Sequence, residues 1–357
     1  MTRAHHLFEK LHQNQGSDLH LAAGRRPMWR LHGEVNSIPD ESMLDDATLR
    51  EMLAELINPA RWDAFLHARD IDFACQFSGI GRFRANYFFQ ENGVAAVFRL
   101  IPETVVDFTR LGLPKVVGTL ADLESGLVLV TGPTGSGKST TLAAIVDLIN
   151  QRHPRHIVTV EDPVEFVHHN KRSVISQREV GTDTMTFAAA LRSAVRQDAD
   201  VVLVGEMRDL ETISLAITAA TMGVLVFGTL HTSGATRTVD RIIDAFPAEE
   251  QPQARTTLAE SLTAVVSQIL LPRVGGGRVA AHEILLRTQA LPGIIREGNS
   301  AMLNSLIASN RKLGMQTLDD ALLELVQQKL VQGAVAHAKA HDKTRFAQYV
   351  DPATPYY

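Results

Sequence analysis

A glycine-rich run, Gly132-Pro133-Thr134-Gly135-Ser136-Gly137-Lys138-Ser139, stands between an apolar stretch, Leu127 to Val130, and a segment of helical spacing, Thr140 to Ile149. Few features constrain a chain more. Phosphate binding needs backbone N–H groups that turn inward, a point positive charge and a hydroxyl for the accompanying cation. Gly132, Gly135 and Gly137 free the backbone, Lys138 is spaced for the β- and γ-phosphates, and Ser139 is the expected Mg²⁺ ligand. Pro133, Thr134, Ser136 and Thr140 complete the loop, and the helix behind it points its positive end at the anion. ATP with Mg²⁺ is the expected ligand.

The pattern around the loop repeats. Leu127 to Val130, Ile157 to Val160, Val201 to Val204 and Leu225 to Leu230 are short apolar runs separated by helical stretches. That alternation predicts an α/β domain with a parallel sheet covered on both faces. Ser267 to Leu271 and Val279 to Leu286, around Gly275-Gly276-Gly277, predict an antiparallel addition, and Leu318 to Leu330 predicts a late amphipathic helix. Ligands of such sheets lie beyond the carboxyl ends of the strands. Glu161-Asp162, Glu206 and His231 each follow a predicted strand at that end. Glu161 and Glu206 are therefore candidate acids for hydrolysis, with Glu206 also a candidate metal ligand; the residues alone do not say which activates water. His337 and His341 stand four apart on a predicted helix without a third ligand, so an exposed helix face is the simpler account. Cys75, the single cysteine, reads as a small buried apolar residue and excludes an internal disulfide.

Residues 1–101 predict a small mixed domain. Leu19 to Leu21 and Trp29 to Val35 alternate like strands, and Leu44 to Ile57 has helical spacing ending before Pro59. From Gly81 to Leu100 two runs flank Asn92-Gly93, a pair favoured in two-residue turns because both residues tolerate positive φ. That turn pairs Glu91 with Val94 and sets Asn86 opposite Arg99. Arg82, Arg84, Asn86 and Arg99 then share one face, and Phe83, Ala85, Tyr87, Phe98 and Leu100 the other. The aromatic face is a core face. The arginine face is either a functional guanidinium stripe or a solvated one, and both readings stay open. Residues 102–114, with prolines near both ends, read as a linker before a domain over 115–357.

At 357 residues the chain suits two domains, and its net charge of −5 exerts no general pull on nucleic acid. It carries no signal-peptide pattern and no apolar run of membrane-spanning length, so a cytoplasmic protein is expected.

Longer motifs add a family. Glu161-Asp162-Pro163-Val164-Glu165-Phe166, Gln177-Arg178-Glu179-Val180, Ala190-Leu191-Arg192-Ser193, Gly205-Glu206-Met207-Arg208-Asp209-Leu210-Glu211-Thr212, Gly228-Thr229-Leu230-His231-Thr232 and Asp240-Arg241-Ile242-Ile243-Asp244 resemble the PilT family, retraction ATPases of type IV pili within the secretion-ATPase superfamily. The resemblance runs from Ser17-Asp18-Leu19 to Gln316-Thr317-Leu318. It implies a PAS-like N-terminal domain, a RecA-like ATPase domain and a homohexamer working on an inner-membrane platform protein at the pilus base. Membrane contact comes only through that machine. It also implies nucleotide contacts from Lys138, Ser139, Glu161, Glu206 and His231, and γ-phosphate contacts from Arg84 and Arg99. Thr221, Val224 and Asn92 depart from the family pattern, and Ala290-Leu291-Pro292-Gly293-Ile294-Ile295-Arg296-Glu297 replaces an element associated with retraction. A proline and glycine there break or restart a helix, which touches coupling and not hydrolysis. Two other readings compete. An assembly or secretion ATPase of the superfamily usually carries a four-cysteine motif, absent here, and a RecA-like nucleic-acid motor needs a basic, aromatic channel that the composition does not advertise.

Overall fold

The computed structural model describes residues 3–31, 33–101 and 105–350. The chain divides into two compact units, Met1–Thr104 with Pro163–Val167, and Val105–Asp162 with His168–Tyr357.

The first unit opens with α1 (His5–Gln13), followed by β1 (Asp18–Ala22), β2 (Met28–Leu31) and β3 (Glu34–Ser37). Next come α2 (Asp46–Ala54), α3 (Pro59–Ala68), β4 (Asp70–Phe77), β5 (Gly81–Gln90) and β6 (Gly93–Ile101). The strands form one sheet in the order β3-β2-β1-β6-β5-β4, every neighbouring pair antiparallel. One face is apolar because alternate residues point there: Phe83, Ala85, Tyr87 and Phe98 are fully buried among Phe8 of α1, Leu49 and Leu53 of α2 and Phe65 of α3. Phe8 stacks on Phe77 at 4.1 Å between centroids and meets Phe98 edge-on at 4.9 Å. Cys75 is half-buried on β4 against this core.

Several local expectations change. The Trp29 to Val35 run is two strands, because the chain turns at Gly33; His32 lies outside the described residues. Pro59 does more than end a helix: it opens α3, with the Asn58 side chain accepting from the Arg61 N–H as N-cap. The hairpin register also differs. Gln90 pairs with Gly93, and Arg84 lies directly opposite Arg99, so the turn residues are Glu91 and Asn92. The cause is tertiary. Asp46, at the start of α2, accepts the Val94 N–H at 2.8 Å and sits where a Cβ on Gly93 would fall, 2.0 Å from its carboxylate oxygen. That contact draws Gly93 into the strand. The slip is an even number of residues, so both faces keep their members.

Of the expected linker, 102–104 lie outside the described residues, and Phe108–Leu111 forms a short 3-10 turn. The second unit begins with α4 (Lys115–Thr119), β7 (Gly126–Thr131), α5 (Lys138–Arg152), β8 (His156–Glu161) and β9 (Val174–Glu179). It continues with α6 (Phe187–Ala194), β10 (Val201–Val204), α7 (Leu210–Thr221), β11 (Leu225–Leu230), α8 (Ala235–Asp244) and α9 (Gln251–Ser261). The strands β12 (Leu262–Pro272) and β13 (Arg278–Leu286) precede α10 (Leu291–Arg296), α11 (Met302–Ser309), α12 (Leu318–Gln327) and α13 (Gly333–Lys339).

The sheet order is β13-β12-β7-β11-β10-β8-β9, with only β13 antiparallel to its neighbour. Both faces are covered. Leu127 and Leu129 of β7 join a core with α6 to α11, while Val128 and Val130 join a second core with α4 and α5. β9, polar and half-buried at the sheet edge, is not among the strands the apolar runs predict. Pro292 falls in the first turn of α10, where its missing N–H costs nothing, so the helix restarts there with Leu291 and Ile295 buried. His341 lies beyond the end of α13, so it does not share a helix with His337. Among the described residues no helix is long and apolar enough to cross a membrane.

The two faces of the N-terminal sheet predict opposite behaviour. Phe83→Ala, inside the aromatic cluster, destabilises that unit by about 3–5 kcal/mol in denaturant unfolding. Arg84→Ala, one residue away on the other face, shifts stability by less than about 0.5 kcal/mol.

Candidate functional site

β7 is buried along its whole length, and the chain leaves it as the loop from Gly132 to Gly137 before entering α5. Gly132 has φ of 142°, and a Cβ there would lie 2.2 Å from the Gln268 carbonyl oxygen, so no other residue fits. Pro133, Thr134 and Gly135 are exposed at the tip; Ser136 is buried, and Gly137, Lys138, Ser139 and Thr140 are half-buried. The Lys138 ammonium donates to the carbonyls of Gly132 at 2.9 Å and Pro133 at 3.2 Å, which folds it over the loop. The Ser136 hydroxyl is buried and makes no hydrogen bond among the described residues. A loop with such an orphaned donor, an ammonium on its rim and a helix N-terminus behind it fits a phosphate group.

The acids arrive on neighbouring strands. β8 and β10 run parallel with Val160 beside Val204, so Glu161 and Glu206 emerge at the same end of the sheet. Glu161 is oriented locally, accepting hydrogen bonds from the Thr159 hydroxyl at 2.7 Å and the Gln177 amide at 3.2 Å. Glu206 sits in a different set. It pairs with Arg208 at 2.6 Å and with His231 Nε2 at 3.0 Å, and Thr134 Oγ1 lies 3.4 Å from His231 Nδ1. One chain of contacts thus links the loop tip, β11 and the end of β10. The hydrogen bond from Arg208 holds the Glu206 carboxyl below the ordinary glutamate value, with His231 adding to the effect. Its two partners thus favour the ionised carboxylate.

Ser139 and Glu206 offer hard oxygen donors suited to Mg²⁺. Among the described residues no group of three or more His, Cys, Asp and Glu side chains forms a cage, so a cation here would lean on phosphate oxygens as well. His337 and His341 are no exception; the His341 N–H donates to Asp319.

Arg84 and Arg99 belong to the N-terminal unit, opposite each other on β5 and β6. Arg84 lies 3.7 Å from Asp72, and Arg99 donates at 2.7 Å to Asp18, whose carboxylate is buried. Burial pushes the Asp18 carboxyl up, but the bonds from Ser17 and Arg99 outweigh it and leave its pKa lowered. Two residues of the site have no role in the sequence reading. Arg208 occurs there only as a letter of a family motif. Gln268 donates to the Ser136 carbonyl at 2.6 Å and accepts from the Thr141 hydroxyl at 2.9 Å. Its only sequence signal is a polar residue inside an apolar strand.

The chain has relatives among known proteins. The family model described as type II/IV secretion system protein matches residues 79–277. The chain is 49% identical to a type IV pilus retraction ATPase, PilT, of Pseudomonas aeruginosa, over 91% of this chain and 94% of that protein. It is 48% identical to a twitching motility protein of Neisseria gonorrhoeae, over 88% of this chain and 84% of that one. A crystal structure of the pilus retraction motor PilT with bound ADP superposes with a TM-score of 0.89 at 41% identity, covering 95% of this chain and 97% of that one. Matched to such relatives along nearly the full length of both chains, the chain belongs to the PilT family of type II/IV secretion system proteins.

Proposed function

We propose that this chain is an ATP-hydrolysing motor subunit that powers type IV pilus retraction and works as a homohexamer. The observation that carries it is the Gly132 to Ser139 loop, held between β7 and α5 with Thr134, His231 and Glu206 joined beside it. Similarity to a pilus retraction ATPase over 91% of the chain supports the pilus assignment. The partner we propose is an inner-membrane platform protein at the cytoplasmic side of the pilus base, with no nucleic acid.

In this mechanism the loop N–H groups and Lys138 would hold the β- and γ-phosphates, and the Ser139 hydroxyl and Glu206 carboxylate would hold Mg²⁺. Bound there, the cation would neutralise charge on the phosphate oxygens. Arg208 and His231 favour the ionised form of Glu206, which suits a cation ligand, and His231 orients it. Orientation of the attacking water falls to Glu161. Arg84 and Arg99 are proposed as charges for the γ-phosphate, where guanidinium groups stabilise the transferring oxygens.

A second role within the family is favoured by one feature. Pro292-Gly293 occupies the element associated with retraction, so a paralogue with altered coupling is the alternative. A deletion strain separates the readings: excess surface pili without twitching support retraction, unchanged pili and twitching support the paralogue, and absent pili, as expected of an assembly ATPase, overturn both.

Lys138→Ala removes nearly all ATPase activity with the fold intact, because it deletes a charge and no core packing. Glu161→Gln and Glu206→Gln bind ATP and turn it over poorly; normal hydrolysis by either reduces that residue to a loop carboxylate. Alanine at Arg84 or Arg99 lowers kcat by about 10³-fold, with lysine a poor rescue. The two differ in stability. Arg84→Ala keeps the wild-type Tm, while Arg99→Ala lowers it by removing the 2.7 Å guanidinium bond to the buried Asp18, which then keeps only Ser17 and the more distant Arg30. Since Asp18 has a lowered folded pKa, its contribution is full above its unfolded value of about 4 and is lost only as pH falls below that.

A further inference from the structure

Gln268 takes no part in the chemistry above, yet its side chain is 1% exposed in the middle of β12. Burying an amide is unfavourable unless both ends are bonded. Both are. Its Nε2 donates to the Ser136 carbonyl at 2.6 Å, and its Oε1 accepts from the Thr141 hydroxyl at 2.9 Å. A carbonyl oxygen can only accept, so the NH₂ end must face Ser136 and the oxygen must face Thr141. The Gln268 backbone carbonyl also fills the space beside Gly132. One residue of β12 thus touches the phosphate loop at its entry, at its far end and at the first turn of α5.

The consequence lies in the peptide joining Ser136 to Gly137. A trans peptide is planar and points its carbonyl and the following N–H in opposite directions. Holding the Ser136 carbonyl against Gln268 therefore turns the Gly137 N–H away from β12. That N–H makes no hydrogen bond among the described residues. Thr141, whose own N–H bonds the Gly137 carbonyl at 3.0 Å, ties the opposite side of Gly137 to the same amide.

We propose that Gln268 is a positioning residue for nucleotide binding: it sets the 136–137 peptide so that the Gly137 N–H is presented to the β-phosphate. This rests on the ATP site proposed above. A loop whose peptide is free to rotate must be ordered by the nucleotide itself, which weakens binding and leaves the reacting groups in place.

The test uses the full chain with two shape-conserving variants. Gln268→Met keeps the volume and loses both bonds; Thr141→Val loses one. Titration with a fluorescent ADP analogue gives Kd and stoichiometry, and steady-state hydrolysis gives KM and kcat. For Gln268→Met, Kd and KM are expected to rise about tenfold with the wild-type stoichiometry and a smaller change in kcat. Thr141→Val should rise by about threefold, and the double variant should be no worse than Gln268→Met alone. A merely structural role gives the opposite split: fewer competent sites and lower kcat, each remaining site binding normally. That result, or wild-type binding by Gln268→Met, overturns the inference. If Gln268→Met does not fold, unchanged binding by Thr141→Val overturns it in the same way. Lys138→Ala separates the two levels: if it binds the analogue normally, the ATP site falls and the inference with it. If Lys138→Ala loses binding while Gln268→Met does not, only the role of Gln268 falls.

Discussion

The nucleotide end of this molecule depends on β7 being buried on both faces. A phosphate loop must keep several N–H groups unpaired and turned inward, and a chain left to itself would rotate them to water. Here the loop leaves a strand clamped between β12 and β11, with side chains alternating into two separate cores. Its far end enters a helix whose Leu142, Ile145, Val146 and Ile149 are packed beneath the sheet. Rigidity at both ends is what makes a mobile-looking glycine run into a fixed cradle. The antiparallel strand pair at the sheet margin is part of this, since β12 supplies the surface on which the loop rests.

Charge at the carboxyl ends of the strands follows from the parallel topology. β8, β10 and β11 end together, so Glu161, Glu206 and His231 converge although seventy positions separate the first from the last. Their surroundings differ. Glu161 accepts from a hydroxyl and an amide, which orient its carboxylate. Glu206 is met by a guanidinium and an imidazole, which favour its ionised form and reduce its basicity.

The N-terminal sheet shows how a local signal is overruled without loss of its main consequence. Asn92-Gly93 carries the chemistry of a two-residue turn, but Asp46 of α2 binds the Val94 N–H and presses against Gly93. The turn moves back by one residue and the pairing slips by two. Arginines and aromatics stay on their own faces because the period of a strand is two, so only an odd slip exchanges them. What does change is which residues stand opposite: Arg84 faces Arg99, the first paired with Asp72 and the second with Asp18.

The sequence by itself determined the glycine-rich loop, the parallel sheet around it, the position of the acids beyond the strand ends and the two faces of the N-terminal hairpin. Each of these is a short-range pattern: a glycine spacing, an apolar run, or an alternation that physical chemistry can read within about ten residues. Tertiary structure decided the rest. The hairpin register required α2, forty-odd residues away, and β9 is too polar for its pairing to show in its own composition. Arg208 and Gln268 were written in the chain but mute. A guanidinium beside a carboxylate and an amide beneath a glycine loop acquire meaning only when the strands that carry them lie side by side. Register between distant strands is a property of the folded sheet and of no local segment.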